Sequence, residues 1–165
     1  MYFAEYDSPV GTLLLTADDS SLTGLWMNKA APAQTKEDPQ HPILCKAAQW
    51  LDGYFRGEET AIDFPLNPAG TAFQKQVWKI LLTIPFGKTR TYGSIAREIA
   101  QILGKENMSA QAVGGAVGRN PISILIPCHR VVGTNGQLTG YAGGIDKKEW
   151  LLRHEGWSIA QQKLG

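Results

Sequence analysis

The sequence predicts an α/β protein built as two small domains: a short β-sheet with one helix, then a mostly helical half containing a helix-turn-helix. Three observations carry that expectation. Residues 1–27 alternate strand-like runs with turn signals. The stretch Asp63-Phe64-Pro65-Leu66-Asn67-Pro68-Ala69-Gly70 is a linker rich in Pro, Gly and Asn. Beyond it, helical patterns follow one another, each opening on a hydroxyl residue suited to cap it. The expected domain boundaries are residues 1–68 and 69–165. A chain of 165 residues, 43% hydrophobic and 19% charged, can bury a real core as one domain or two small ones.

Taken in order, Tyr2-Phe3-Ala4-Glu5-Tyr6 reads as a strand and Asp7 to Gly11 as a turn. Thr12 to Ala17 is a second strand, and Leu22 to Met27 a third after the turn Asp18-Asp19-Ser20-Ser21. Residues 28–40 are polar with prolines and read as irregular loop. Over His41 to Phe55, Leu44, Ala47, Ala48, Leu51 and Phe55 recur at helical spacing, and Gly57 can stop the helix. Cys45 within it reads as a packed structural thiol. After the linker, Thr71 caps a helix with Phe73, Val77, Trp78, Leu81 and Leu82 on one face, ending by Pro85-Phe86-Gly87. Thr91 opens the next, with Ile95, Ile99 and Ile102 inward and Gly104 closing it. Ser109 caps a short third helix, Ala110 to Val117, stopped near Gly118.

Two helices joined by a short turn make a helix-turn-helix candidate. The third helix carries almost no bulk at Ala110, Ala112, Gly114, Gly115 and Ala116. Each glycine weakens a helix by about 1 kcal/mol relative to Ala, so their use implies close approach to another helix or to a nucleic-acid groove. A helix so poor in Arg, Asn and Gln is badly equipped to read base sequence. It can still slide along a sugar-phosphate wall, as a general lesion scanner must.

Composition limits the function classes. No apolar run approaches membrane-spanning length, and Met1 opens onto Tyr2-Phe3-Ala4-Glu5 without a basic signal-peptide head, so a cytoplasmic protein is expected. Cys45 and Cys128 make no disulfide framework, and three histidines and two cysteines without metal spacing suggest no metal site. The net charge of +1 hides an asymmetry: residues 1–68 carry Lys29, Lys36, Lys46 and Arg56 against ten acidic side chains, and the other twelve basic residues face five acidic ones. The second half is then suited to meet a polyanion, although chance imbalance explains the charges equally well.

The chemistry concentrates between Asn120 and Gly133. An apolar run, Ile122 to Ile126, delivers the backbone to Pro127, which fixes φ and supplies no N–H. Cys128 follows, flanked by His129 and Arg130, and Val131 and Val132 resume an apolar run. A thiol is a useful nucleophile as thiolate, and a neighbouring base or cation favours that form. By itself a Cys-His pair is a weak signal, since a lone cysteine in an apolar segment is more often a structural thiol.

In order, Asn120-Pro121, Pro127-Cys128-His129-Arg130, Tyr141-Ala142-Gly143-Gly144 and Lys148-Glu149-Trp150-Leu151-Leu152-Arg153-His154-Glu155-Gly156 closely resemble the O6-alkylguanine-DNA alkyltransferases, from about Thr71 to Gly156. The resemblance implies a ribonuclease-H-like first domain and a winged-helix-like second one. It also implies binding in the minor groove of double-stranded DNA and flipping of the alkylated guanine, because O6 of a stacked guanine is out of reach of a fixed nucleophile. Cys128 would accept the alkyl group irreversibly, His129 would take its proton, and Glu155 would orient His129 and favour its positive form. Tyr92 would donate to guanine N3, and Asn120 would hold the recognition helix against the active-site turn. Backbone groups of Cys128, Val131 and Ala142 would read the base, with Tyr141, Ala142, Gly143 and Gly144 as pocket wall. The implied DNA contacts are Ala110, Gln111, Ala112, Gly114, Gly115, Arg119 and Arg130; Arg130 is also a candidate to stabilise the thiolate in place of His129.

The family implies no cofactor and no metal, and a single-turnover reaction needs no second copy, so a monomer is expected. Whether O4-alkylthymine is accepted stays open. Two departures stand out: Gln111 replaces an arginine that in many members fills the gap left by the flipped base, and residues 100–108 are longer than the usual turn. A binding-only damage sensor would lack the cysteine. A sequence-reading transcription factor would need a better equipped helix, and a cysteine hydrolase an oxyanion hole.

Overall fold

Two strands, β1 (Tyr2–Ser8) and β2 (Gly11–Ala17), pair antiparallel in unbroken register around a two-residue turn at Pro9 and Val10. Gly11 has φ +103, the conformation that lets the hairpin close without a Cβ in the way. In this computed structural model, which describes residues 1–157, β3 (Leu22–Met27) pairs antiparallel with β2. Residues 158–165, the end of the second expected domain, lie outside the described residues. The polar loop expected over residues 28–40 contains a two-residue strand, β4 (Lys36–Glu37), parallel to β1, so the sheet order is β3-β2-β1-β4. Two residues are too few for a period to register in the sequence.

β2 lies between two partners and is buried from Leu13 to Ala17. Helix α1 (Pro42–Phe55) packs on β1 and β2 through Leu44, Ala47, Leu51 and Tyr54. Its N-cap is His41, whose Nδ1 accepts from the Ile43 N–H, with Pro42 at the first position where no N–H is needed. Cys45 is half-buried and its thiol faces the Pro39 carbonyl at 3.3 Å.

The chain divides into two compact units. The first comprises Met1–Ala69 and also takes in Pro121–Leu125. That re-entrant segment, about fifty residues on from the linker, bonds to Leu25 of β3: the Leu25 N–H donates to the Pro121 carbonyl at 2.9 Å and the Ser123 N–H to the Leu25 carbonyl at 3.2 Å. Ile122, Ile124 and Leu125 are buried. Ile124 has φ +71, costly for a β-branched residue.

The second unit runs from Gly70 to Asn120 and resumes at Ile126. Helix α2 (Ala72–Leu81) starts on a capping box in which the Thr71 hydroxyl accepts from the Gln74 N–H and the Gln74 side chain accepts from the Thr71 N–H. Strand β5 (Arg90–Thr91) leads into α3 (Tyr92–Leu103), capped by Thr91 and closed by Gly104 in the left-handed region. Ser109 caps α4 (Ala110–Gly118). The Trp78 indole N–H donates to the Ala116 carbonyl at 2.8 Å, tying α2 to α4 in the interior. Leu82 and Ile102, expected to face inward, are 45% and 50% exposed. Each lies at a helix end where the apolar stripe has passed the core, and Ile80, Ala96 and Ala100 are buried instead. A one-turn 3-10 helix (Cys128–Arg130) runs into β6 (Val131–Val132), parallel to β5, and α5 (Ile145–His154) completes the unit. Among the described residues no helix is long and apolar enough to cross a membrane.

Candidate active site

Every residue from Asn120 to Val132 is buried. Asn120 ends the approach from α4, its side-chain amide donating to the Ile126 carbonyl at 2.7 Å inside the protein. Pro127, with φ −81 and ψ 67, makes the turn closed by the bond from the Cys128 N–H to the Ile126 carbonyl at 2.8 Å. Cys128 therefore sits where the extended run becomes a helical turn, and the same turn sends His129 and Arg130 inward.

Glu155, which follows the last turn of α5, organises the interior behind the thiol. Its carboxylate accepts from four donors: His129 Nε2 at 2.6 Å, Arg130 Nε at 2.8 Å and Nη2 at 3.1 Å, and the Gly87 N–H at 3.1 Å. Arg130 Nη1 donates in addition to the Ile84 carbonyl at 2.6 Å. Burial opposes ionisation of Glu155, but the bonds and charges of His129 and Arg130 outweigh it and hold the carboxyl well below the usual range. Arg130, expected among the DNA contacts or as a partner of the thiolate, is buried in this ion pair instead.

Glu155 pulls His129 toward its charged form, the direction expected of it, but a larger opposing effect sets the net direction. Burial pushes the imidazole pKa down, with Arg130 and Lys148 adding to it, against the upward pull of Glu155. His129 is thus the neutral tautomer with its proton on Nε2, where it donates to Glu155. Nδ1 is left as an acceptor, and this buried atom has no hydrogen-bond partner among the described residues.

Tyr92, the first residue of α3, and Cys128 feel each other's charge: burial raises the phenol pKa, the thiol adds to the rise, and a hydrogen bond with the Thr139 side chain opposes it. The Tyr92 ring packs against Gly114, where an added Cβ would lie 3.7 Å away. Val131 is buried in β6, whereas Tyr141 and Gly143 are half-buried and Ala142 is exposed. On α4, Ala110, Gln111, Ala112, Gly115 and, just past its end, Arg119 are exposed, and a Cβ on Gly115 would meet nothing within 4 Å. A Cβ at Gly114 would make ordinary contact and one at Gly115 none, so close approach inside the protein demands neither glycine.

Three participants were missed. Lys148 of α5 is fully buried, donates to the Thr139 carbonyl at 2.8 Å and lies 5.8 Å from the Tyr92 ring centre. Burial lowers its pKa to about 8 and the charge of Cys128 opposes that fall, so cation and thiolate attract. Helical phase carried a signal, since Lys148 shares a face with Leu151, Leu152 and Glu155 at spacings of three, four and seven. Gly87, read as a helix stop, also brings its N–H to Glu155; its φ is +80, and a Cβ there would come within 2.9 Å of the Glu155 carbonyl. Thr139 gave no sequence signal. Among the described residues no three His, Cys, Asp or Glu side chains group as metal ligands.

Fold and site define a helix-turn-helix protein whose buried thiol adjoins a buried Glu–Arg ion pair and the histidine bonded to it. The model of the 6-O-methylguanine DNA methyltransferase DNA binding domain matches residues 72–157, and that of the ribonuclease-like domain of the same methyltransferase matches residues 1–68. A methylated-DNA–protein-cysteine methyltransferase of Methanosarcina acetivorans is 44% identical over 161 residues, covering 94% of this chain and 99% of the relative. The crystal structure of Mycobacterium tuberculosis OGT in complex with DNA superposes with a TM-score of 0.83 at 46% identity, covering 94% of this chain and 92% of that one. An O6-methylguanine DNA methyltransferase from Methanococcus jannaschii gives 0.64 at 29% identity, over 92% of each chain. The chain belongs to the 6-O-methylguanine DNA methyltransferase family.

Proposed function

We propose that this protein repairs DNA by taking the alkyl group of O6-alkylguanine, chiefly methyl, onto Cys128, and is consumed in doing so. The observation that carries the reading is the placing of His129, next in the chain to Cys128, with Nε2 bonded to Glu155 at 2.6 Å and Nδ1 left without a partner among the described residues. Nδ1 receives the thiol proton, directly or through one solvent molecule. The sulfur then attacks the alkyl carbon, an S–C bond forms, and the C–O6 bond breaks with its electron pair passing to guanine. Tyr92 donates a hydrogen bond to N3 and so eases departure of the base. Glu155 fixes the tautomer of His129, and Arg130 keeps Glu155 ionised. The product is a thioether, which no thiol reductant reverses.

The target base must leave the duplex to reach a buried thiol. The small exposed face of α4 enters the minor groove without reading sequence, Gln111 occupies the vacated stack, and Arg119 contacts the backbone. Asn120 links this docking to the nucleophile through its bond to Ile126. Tyr141, Ala142 and Gly143 wall the pocket, and backbone groups of Val131 and Ala142 read the base. The protein acts as a monomer in the cytoplasm, where its thiols stay reduced.

The test is mass spectrometry after incubation with duplex DNA containing O6-methylguanine. The peptide bearing Cys128 gains one CH2, and Cys128→Ala abolishes transfer while retaining DNA binding. Alkylation mapped to Cys45, or transfer surviving in Cys128→Ala, would overturn the reading.

A further inference from the structure

The turn that follows α2 is bound to both members of the Glu155–Arg130 pair. At its start the Ile84 carbonyl accepts from Arg130 Nη1 at 2.6 Å, and the Phe86 ring centre lies 5.8 Å from the same guanidinium. The turn spans Pro85 to Lys88, closed by the bond from the Lys88 N–H to the Pro85 carbonyl at 3.0 Å. Gly87 is its third residue, with φ +80. That is the angle of a type II turn, whereas the commoner type I accepts most residues there. The two types differ by a flip of the peptide between the second and third residues. In the form adopted, the Phe86–Gly87 peptide turns its N–H to Glu155 Oε1 at 3.1 Å. Flipped, it would turn its carbonyl toward the carboxylate.

The Gly87 bond decides how the carboxylate is shared. Oε1 accepts from Gly87 and from Arg130 Nε at 2.8 Å, which leaves Oε2 to His129 Nε2 at 2.6 Å and Arg130 Nη2 at 3.1 Å. We propose that Gly87 is a positioning residue for alkyl transfer: by adopting the type II turn it places a backbone donor on Glu155 Oε1 and so keeps Oε2 aimed at His129. The inference rests on the role given to His129 under the proposed function. An ionised carboxylate only accepts, so the imidazole nitrogen facing it carries the proton and Nδ1 is kept as the acceptor. An L side chain at position 87 is strained at this φ, and its Cβ would come within 2.9 Å of the Glu155 backbone oxygen. A turn without this task could adopt type I and dispense with glycine.

The experiment measures single-turnover transfer from duplex DNA containing O6-methylguanine for three proteins: Gly87→Ala, a chain in which an ester replaces the Phe86–Gly87 amide, and His129→Gln. Gly87→Ala should slow transfer by about tenfold, the worth of one hydrogen bond to a charged group. The ester removes that donor and adds no side chain, so it reports on the bond even where alanine prevents folding. It should slow transfer by roughly threefold to tenfold. In both proteins DNA affinity should be unchanged, and 15N spectra of the His129 ring should move from one fixed tautomer toward a mixture. A native rate in the ester protein, or slowing with the His129 signals unmoved, would overturn the positioning role while leaving that of His129 standing. Slowing matched by an equal loss of DNA affinity would overturn it as well. A native rate in His129→Gln would instead overturn the role of His129, and that of Gly87 with it.

Discussion

Lys148→Met should raise the melting temperature while lowering the transfer rate. The ammonium has no exposed surface and, among the described residues, one hydrogen bond, to the Thr139 carbonyl. Burial moves its pKa from 10.5 to about 8. At about 1.4 kcal/mol per decade, the charged form is held in the fold less well than in water by about 3 kcal/mol. Methionine has similar length and no charge, and the carbonyl it abandons sits on an exposed residue that water can reach. Subtracting about 1.5 kcal/mol for the lost charge-assisted bond leaves a net gain of about 1–2 kcal/mol. For a chain of 165 residues this is about 3–6 °C. The pH dependence identifies the cause. Between about 8 and 10.5 the unfolded chain holds more protons on this lysine than the folded one, so the native penalty is full below 8 and gone above 10.5. Calorimetry of both proteins at pH 7 and again near the upper end of that window should show the advantage at the first and its loss at the second. A variant less stable at pH 7, or an advantage indifferent to pH, would refute the reasoning.

Glu155→Gln should cost about 3 kcal/mol, since it leaves Arg130 buried and uncompensated, and should slow transfer by freeing the His129 tautomer. Native stability should decline as pH falls below 6.5, where the unfolded chain gains a proton that buried His129 resists, and again below 4.5, where unfolded carboxyls protonate before Glu155; thermal melts of Glu155→Gln should lack the second decline. Gln111→Ala should slow repair in duplex DNA and spare reaction with free O6-benzylguanine, with equal slowing of both assigning Gln111 to the pocket instead. Gly115→Ala should stabilise the fold by about 1 kcal/mol, because its Cβ meets nothing within 4 Å, and should weaken binding in a DNA titration; unchanged affinity would remove α4 from the interface.

What was legible in the sequence followed from adjacency and period. Cys128, His129 and Arg130 are neighbours, the caps Thr71, Thr91 and Ser109 precede apolar stripes, and β1 to β3 are long enough to show turns at their ends. What stayed hidden depends on tertiary partners. The two-residue strands β4, β5 and β6 exist only because another strand lies beside them. Arg130 resembled an exposed cation until Glu155, twenty-five residues away, was seen to hold it. Lys148 sits in the run Asp146-Lys147-Lys148-Glu149, which reads as a solvated face. The pull of Glu155 on His129 was expected from the family resemblance, whereas the burial that outweighs it cannot be read from a sequence.

The return of Pro121–Leu125 to the first unit bears on how such a gene can change. The two parts of the chain are not modules that recombination can shuffle at the linker. A crossover near residue 69 would hand the second part a foreign Leu25 equivalent while keeping Pro121, Ser123 and a strained Ile124 shaped to the old one. Because that segment lies only three residues before the nucleophile, drift in an edge strand of the first part is constrained by chemistry performed in the second, and the two parts are bound to co-evolve as one inheritance.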